Sequence, residues 1–242
     1  MNFILLLKGC TLWRKIFAIS TGSIILLLNT LVGCEEAQAS LILDQNRVVL
    51  SANEGAAIVK VDNPTDRDYL IQNWITAEDN STQEALFVQP PLVKIKAHHK
   101  VALHIEAIDP AIAGETQEKL YRLNVKEIPK VENKGGSQLL LVMLTKIKIL
   151  YRPTAVNAEM DQAYQKLTWH KAGNALRVDN PTPYYVTFDK VWEENNKTHP
   201  LDADTIAPHS TLTIKGYRGA ANIYYSIIND YGDASDAIKV SL

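Results

Sequence analysis

The chain has 242 residues, with 25 lysines and arginines against 27 aspartates and glutamates, a formal net charge of −2. That near-balance argues against nucleic acid as the partner, and the length and apolar content allow one or two packed domains. Both cysteines, Cys10 and Cys34, lie in the first 34 residues, so the remainder of the chain is held by packing alone.

The first segment is not part of the fold. MNFILLLKGCTLWRK carries Lys8, Arg14 and Lys15; the apolar run IFAISTGSIILLLNTLVG and then CEEAQAS come next. A positive flank, an apolar stretch and the small-residue pattern Ala37-Gln38-Ala39 make a secretory signal, residues 1–39, cleaved after Ala39 to leave Ser40 as the new N-terminus. Two alternatives stand beside it. The stretch is retained as a membrane anchor, or Leu31-Val32-Gly33-Cys34 acts as a lipobox and Cys34 is lipidated.

From Ser40 onward the pattern has period two, and no repeat or low-complexity tract is evident. AAIVKVDN alternates; KVALHIEAI sets Val101, Leu103, Ile105 and Ala107 against Ala102, His104 and Glu106. LYRLNVKEI sets Tyr121, Leu123 and Val125 against Arg122, Asn124 and Lys126, and NALRVDN keeps the same beat. These are half-buried strands. Asn63-Pro64, Asp79-Asn80-Ser81, Gly135-Gly136, Asn180-Pro181 and Tyr231-Gly232 are turn signals between them. Only AVNAEMDQAYQKL, residues 155–167, has a helical look. Short strands at regular spacing predict an all-β fold, sandwich or barrel, antiparallel or nearly so. Counted from Ser40, about 115 residues run through Tyr151-Arg152-Pro153 and about 90 come after, each the size of one immunoglobulin-like sandwich of ~100 residues. Pro153 disfavours strand continuation, so two domains are predicted, 40–154 and 155–242.

One stretch departs from the alternation. In SQLLLVMLTKIKILYRP, both parities between Leu139 and Ile149 are apolar, interrupted by Lys146 and Lys148. An antiparallel strand normally buries one face and wets the other. Leu140, Val142 and Leu144 are assigned to the home core, which leaves Leu139, Leu141 and Met143. Either the strand is central and packed on both sides, or it is an edge kept open for another chain to add a strand. The lysines either snorkel to water, or Lys148 joins Arg47 of DQNRVVL, a second cation in an otherwise apolar strand, as a clamp for a carboxylate.

LYRLNVKEIPK, LTKIKILYRP, DNPTPYYVTF and INDYGD, in that order, resemble the signature segments of PapD-like periplasmic chaperones of the chaperone–usher pathway. YLIQNWI and FVQPPLVKI resemble the early strands of the same family. The resemblance implies two immunoglobulin-like domains in an L with a cleft between them, no cofactor and no catalysis. It implies a periplasmic chaperone that lends an edge strand to incomplete pilus subunits (pilins) and delivers them to an outer-membrane usher. Leu139, Leu141 and Met143 are then the donor side chains. Arg47 and Lys148 grip the subunit's C-terminal carboxylate, which fixes the register of the pairing. Glu118, Arg152 and Asp230 match the charges that bridge the two domains. Asn180-Pro181-Thr182-Pro183-Tyr184 reads as turn chemistry rather than a site. Lys130 stands where the family has a second proline, and Asp233 where it has a second glycine. The loop KVENKGGSQ is short, as in the subgroup that builds thicker rods.

Rival functions have less behind them. There is no G-x-S-x-G, H-E-x-x-H or P-loop, and the histidines are scattered apart from His98-His99. No metal-ligand cluster is apparent. A pilin would be a single sandwich. The nearest rivals are a less specific periplasmic folding factor and a surface-associated immunoglobulin-like binding protein. Self-capping into dimers through an open edge is compatible with such a surface.

Overall fold

Inward-facing apolar residues at every second position decide where the strands form. In the computed structural model, residues 41–130, 141–156, 163–194 and 196–242 are described. The first half holds β1 (Ile42–Leu43), β2 (Arg47–Ser51), β3 (Ala56–Asp62), β4 (Tyr69–Ala77), β5 (Leu86–Gln89), β6 (Leu92–Ile95), β7 (Lys100–Ala107), β8 (Lys119–Pro129) and β9 (Met143–Arg152). They form two sheets, β1-β3-β7-β5 and β2-β9-β8-β4-β6. Between these sheets lie Val59, Val61, Ile71, Leu103, Ile105, Leu123, Val125 and Ile149, all without exposed surface. The predicted alternations of β3, β7 and β8 are therefore the inward rows of one sandwich.

The second half holds β10 (Thr168–Ala172), β11 (Ala175–Asp179), β12 (Val186–Glu193), β13 (Thr205–Ile206), β14 (Thr211–Lys215), β15 (Asn222–Ile227) and β16 (Ile238–Ser241). Its sheets are β10-β11-β14 and β13-β12-β15-β16. They close over a separate core in which Trp169, Phe188 and Tyr225 pack as an aromatic trio with centroids 5.1 to 6.0 Å apart. Rings at those separations stabilise the core beyond the area they bury. The fold is thus all-β, two immunoglobulin-like sandwiches.

One expectation needs correction, and two features add to it. The segment with a helical look contributes a short 3-10 turn, Tyr164–Lys166, while 157–162 lie outside the described residues. A second 3-10 turn, Pro110–Gly114, was not predicted, although Asp109 caps it by accepting from the Ala111 amide and Pro110 opens it. The strand pairs are antiparallel with one exception among the described residues, since β2 runs parallel to β9, with Arg47 opposite Lys148 and Ser51 opposite Arg152.

The chain also carries a short internal echo. Asp-Asn-Pro-Thr occurs at 62–65 and again at 179–182. In the first copy the Asn63 amide donates to the carbonyls of Arg67 (2.7 Å) and Lys96 (2.9 Å), and its oxygen accepts from Thr65. In the second, Asn180 donates to Tyr184 (2.7 Å) and Ala207 (2.9 Å) and accepts from Thr182. Both asparagines are buried, and each satisfies backbone groups that a turn would otherwise strand. The same device therefore folds the corresponding corner of each sandwich.

Candidate functional site

The odd strand is β9. On one side it pairs with β8, from Met143 opposite Glu127 to Tyr151 opposite Lys119. On the other side β2 covers only Lys148–Arg152. Among the described residues, Met143–Ile147 therefore has a neighbour on one side and an open edge on the other. Just before this edge and along it, the side chains are bare: Leu141 is 68 % exposed, Val142 42 %, Met143 54 % and Leu144 47 %. Monomeric proteins normally blunt such an edge.

The assignment of faces along this stretch was reversed. The home core takes the odd set, Ile147, Ile149 and Tyr151. Leu141 and Met143 continue that line beyond the end of the core. Val142 and Leu144, assigned to the core from the sequence, are exposed. Their parity continues through Lys148 and Leu150 to Arg152, and Leu150 packs against Leu120 and Tyr185 of the second sandwich. Leu139, the third donor candidate, and Leu140 lie outside the described residues.

At the closed end of the edge, register brings Arg47 and Lys148 side by side on one face of the sheet. Arg47 is 5 % exposed, and its Nη1 donates to the carbonyls of Ile228 (3.0 Å) and Asn229 (3.1 Å). Burial pulls its pKa below the ordinary value, partly offset by Asp230 and Glu118. Lys148 Nζ donates to Asp204 Oδ1 at 3.1 Å and Thr205 Oγ1 at 2.5 Å. Burial pushes the Asp204 carboxyl up, but Lys148, Thr205 and Arg122 outweigh it and hold it below its ordinary range.

Arg122 escaped the sequence reading. It sits on β8 directly opposite Lys148, so Arg47, Lys148 and Arg122 form a row across three adjacent strands. Its Nε donates to the Glu78 carbonyl at 3.1 Å. The same parity adds Lys126 and Lys146, the latter bonded to Asn80 Oδ1 at 2.8 Å. The balanced overall charge conceals this one-sided gathering, because the period of two sorts charges by face. Asp204 was missed as well. It approaches Lys148 from the other sandwich, and nothing local marks it.

Glu118, Arg152 and Asp230 are brought together between the sandwiches. Arg152 Nε donates to Glu118 Oε1 at 2.8 Å, while Nη1 and Nη2 reach the two oxygens of Asp230 at 2.8 and 3.1 Å. The guanidinium also lies over the Tyr184 ring, 5.3 Å from its centroid. Glu118 has 1 % of its surface exposed, and its Oε2 accepts from the Tyr185 amide at 2.9 Å. Burial raises the Glu118 pKa, with Arg152 and Tyr185 opposing. Burial alone would lower Arg152, but the two carboxylates hold it above its ordinary value. The turn carrying Asp230 is itself fastened to the first sandwich, since Asn46 Nδ2 donates to the Gly232 carbonyl at 3.1 Å. Gly232 has φ +90, a conformation that favours glycine, and a Cβ there would have to displace the Asn46 side chain that fastens the turn.

Among the described residues, no group of three or more His, Cys, Asp or Glu is placed to hold a metal ion. Comparison with known proteins gives the arrangement a family. Residues 40–157 match the pili and flagellar-assembly chaperone model, PapD N-terminal domain, and 162–239 match the PapD C-terminal domain of pili assembly chaperones. The chaperone protein FimC of Escherichia coli K12 is 32 % identical over 212 residues, 86 % of this chain and 87 % of FimC. PmfD of Proteus mirabilis is also 32 % identical, over 209 residues and 81 % of each chain. The solved Salmonella enterica complex of the SafA pilin with the SafB chaperone contains a chain that superimposes with a TM-score of 0.75 at 27 % identity. That match covers 85 % of this chain and 97 % of the other. With both sandwiches matched in order and relatives aligned over most of their length, this chain belongs to the PapD-like pilus-assembly chaperones of the periplasm.

Proposed function

We propose that this chaperone captures pilus subunits by lending them the open edge of β9, while Arg47 and Lys148 hold the subunit's C-terminal carboxylate. The observation that carries the reading is the coincidence of two features on one strand. Among the described residues, Met143–Ile147 is unpaired on one side, and the Arg47–Lys148 pair lies immediately at its end. A client strand seated with its terminus at Lys148 runs along the open edge, and the carboxylate sets its register. Leu141 and Met143 lie on the parity that faces the home core further along and enter the groove of an incomplete sandwich. Each contributes ~1.5–3 kcal/mol when fully buried, before ordering costs. Glu118, Arg152 and Asp230 keep the two sandwiches in the relation that this grip needs. The domains divide at 154/155, and the loaded complex is handed to an outer-membrane usher.

The chaperone reaches the periplasm by cleavage after Ala39, which leaves a soluble product rather than one lipidated at Cys34. Intact mass of the mature protein separates the two, since lipidation adds acyl chains and leaves Cys34 as the first residue.

The test of the clamp is Lys148→Ala, in which the changed side chain is 20 % exposed and outside the core. Co-expressed with its cognate pilin, the variant is expected to lose the one-to-one complex that the parent forms, a penalty of ~2–5 kcal/mol. Arg47→Ala is expected to act in the same direction. Near-normal capture by Lys148→Ala in a folded protein refutes the clamp.

A further inference from the structure

We infer that Asp204 is a built-in stand-in for the client carboxylate, occupying Lys148 until a subunit displaces it. The inference rests on the reading that Lys148 receives a C-terminal carboxylate.

Asp204 precedes β13 in the second sandwich, 56 residues from Lys148 in sequence, yet its Oδ1 lies 3.1 Å from Lys148 Nζ. Thr205 Oγ1 donates to the same carboxylate at 3.0 Å. Lys148, Thr205 and Arg122 together hold Asp204 in its charged form. A carboxylate held by an ammonium and a hydroxyl, with Arg122 one strand beyond Lys148, is in the environment that a peptide's C-terminal carboxylate needs.

The carboxylate is not what fixes the chain around it. The backbone of Asp204 is fixed independently, because its carbonyl accepts from the Phe188 amide at 2.8 Å. The next residue, Thr205, pairs with Thr187 on β12, and their hydroxyls are 3.1 Å apart. Asp204 is 84 % exposed in its side chain, whereas Lys148 is 20 % exposed. The acid therefore reaches in from water to a cation that is largely withdrawn from it. An exposed partner is readily replaced, and Arg122, on the side of Lys148 away from Arg47, offers the displaced carboxylate a second cation. The empty chaperone thus keeps Lys148 neutralised, at the cost of a modest competition that every client must win.

The probe is the pilin that co-purifies with this chaperone. Wild type and Asp204→Asn, carrying different affinity tags, compete for limiting pilin, and the bound ratio is read after separation. Asparagine retains an oxygen for Lys148 and removes only the charge. The variant is expected to take pilin about two- to fivefold more strongly, the range for loss of an exposed ion pair. In a Lys148→Ala background, with both tagged chaperones raised well above the pilin so that the weakened capture is still read, the advantage should vanish. An equal ratio, or preference for wild type, overturns the inference, the latter meaning that Asp204 positions Lys148. An advantage that persists without Lys148 overturns it too. If Lys148→Ala alone captures pilin as well as wild type, the clamp itself has failed, which is distinct from a clamp that works without competition from Asp204.

Discussion

Replacing Arg152 by methionine gives the most quantitative test of how the sandwiches are joined. Arg152 and Glu118 are 9 % and 0 % exposed in their side chains, while Asp230 is 26 % exposed. Removing the guanidinium leaves Asp230 with access to water. Glu118 stays buried with one remaining described donor, the Tyr185 amide at 2.9 Å. Stranding a buried charge in this way costs about 3–5 kcal/mol, a large part of the ~5–15 kcal/mol that holds an average domain together. Urea unfolding followed by far-ultraviolet circular dichroism measures the loss. Glu118→Gln in the Arg152→Met background keeps an acceptor for the Tyr185 amide and removes the stranded charge, so it is expected to recover more than half of it. A single-variant loss under about 1 kcal/mol, the range of surface pairs, or no recovery in the double variant, refutes the reasoning.

Met143→Asp is expected to leave the fold within about 0.5 kcal/mol of wild type, as for other exposed positions, while abolishing pilin co-purification. The pH dependence of stability carries a sign that can be checked. Burial raises the Glu118 pKa, so its contribution is full below the unfolded value and is lost as pH rises through the folded one. Subtracting the Glu118→Gln profile from wild type should therefore leave a difference that falls with rising pH. Asp204 has the opposite sign: its pKa is depressed, so its contribution is present above the unfolded value and is lost as pH falls through the folded one. The Asp204→Asn subtraction should rise with pH where the Glu118 one falls.

Much of the fold was readable from alternation alone, since β3, β7, β8 and β11 lie where apolar and polar residues trade places. β9 was harder because both parities are apolar ahead of Lys146. Which set faces home is decided by Ile147, Ile149 and Tyr151 further along, and by the second sandwich claiming Leu150 and Arg152. The adjacency of Arg47 and Lys148 depends on a parallel pairing between segments about 100 residues apart, which no local pattern encodes. Resemblance to a family supplied that pairing of cations, and the register accounts for it physically. Arg122 and Asp204 became visible only with that register, one from the neighbouring strand and the other from across the inter-sandwich boundary. The repeated Asp-Asn-Pro-Thr was present in the sequence throughout. Its meaning depends on where the asparagine amide finds carbonyls, at Lys96 in one sandwich and Ala207 in the other.

Amide hydrogen exchange on the chaperone, alone and with its co-purified pilin, addresses the central claim most directly. The account predicts that amides within Met143–Ile147 gain strong protection on loading, as a client strand covers the side of β9 that β2 leaves open, while the outer edges β10 and β16 of the second sandwich are unchanged. Protection that appears at β10 or β16 and leaves Met143–Ile147 exchanging as before would contradict it.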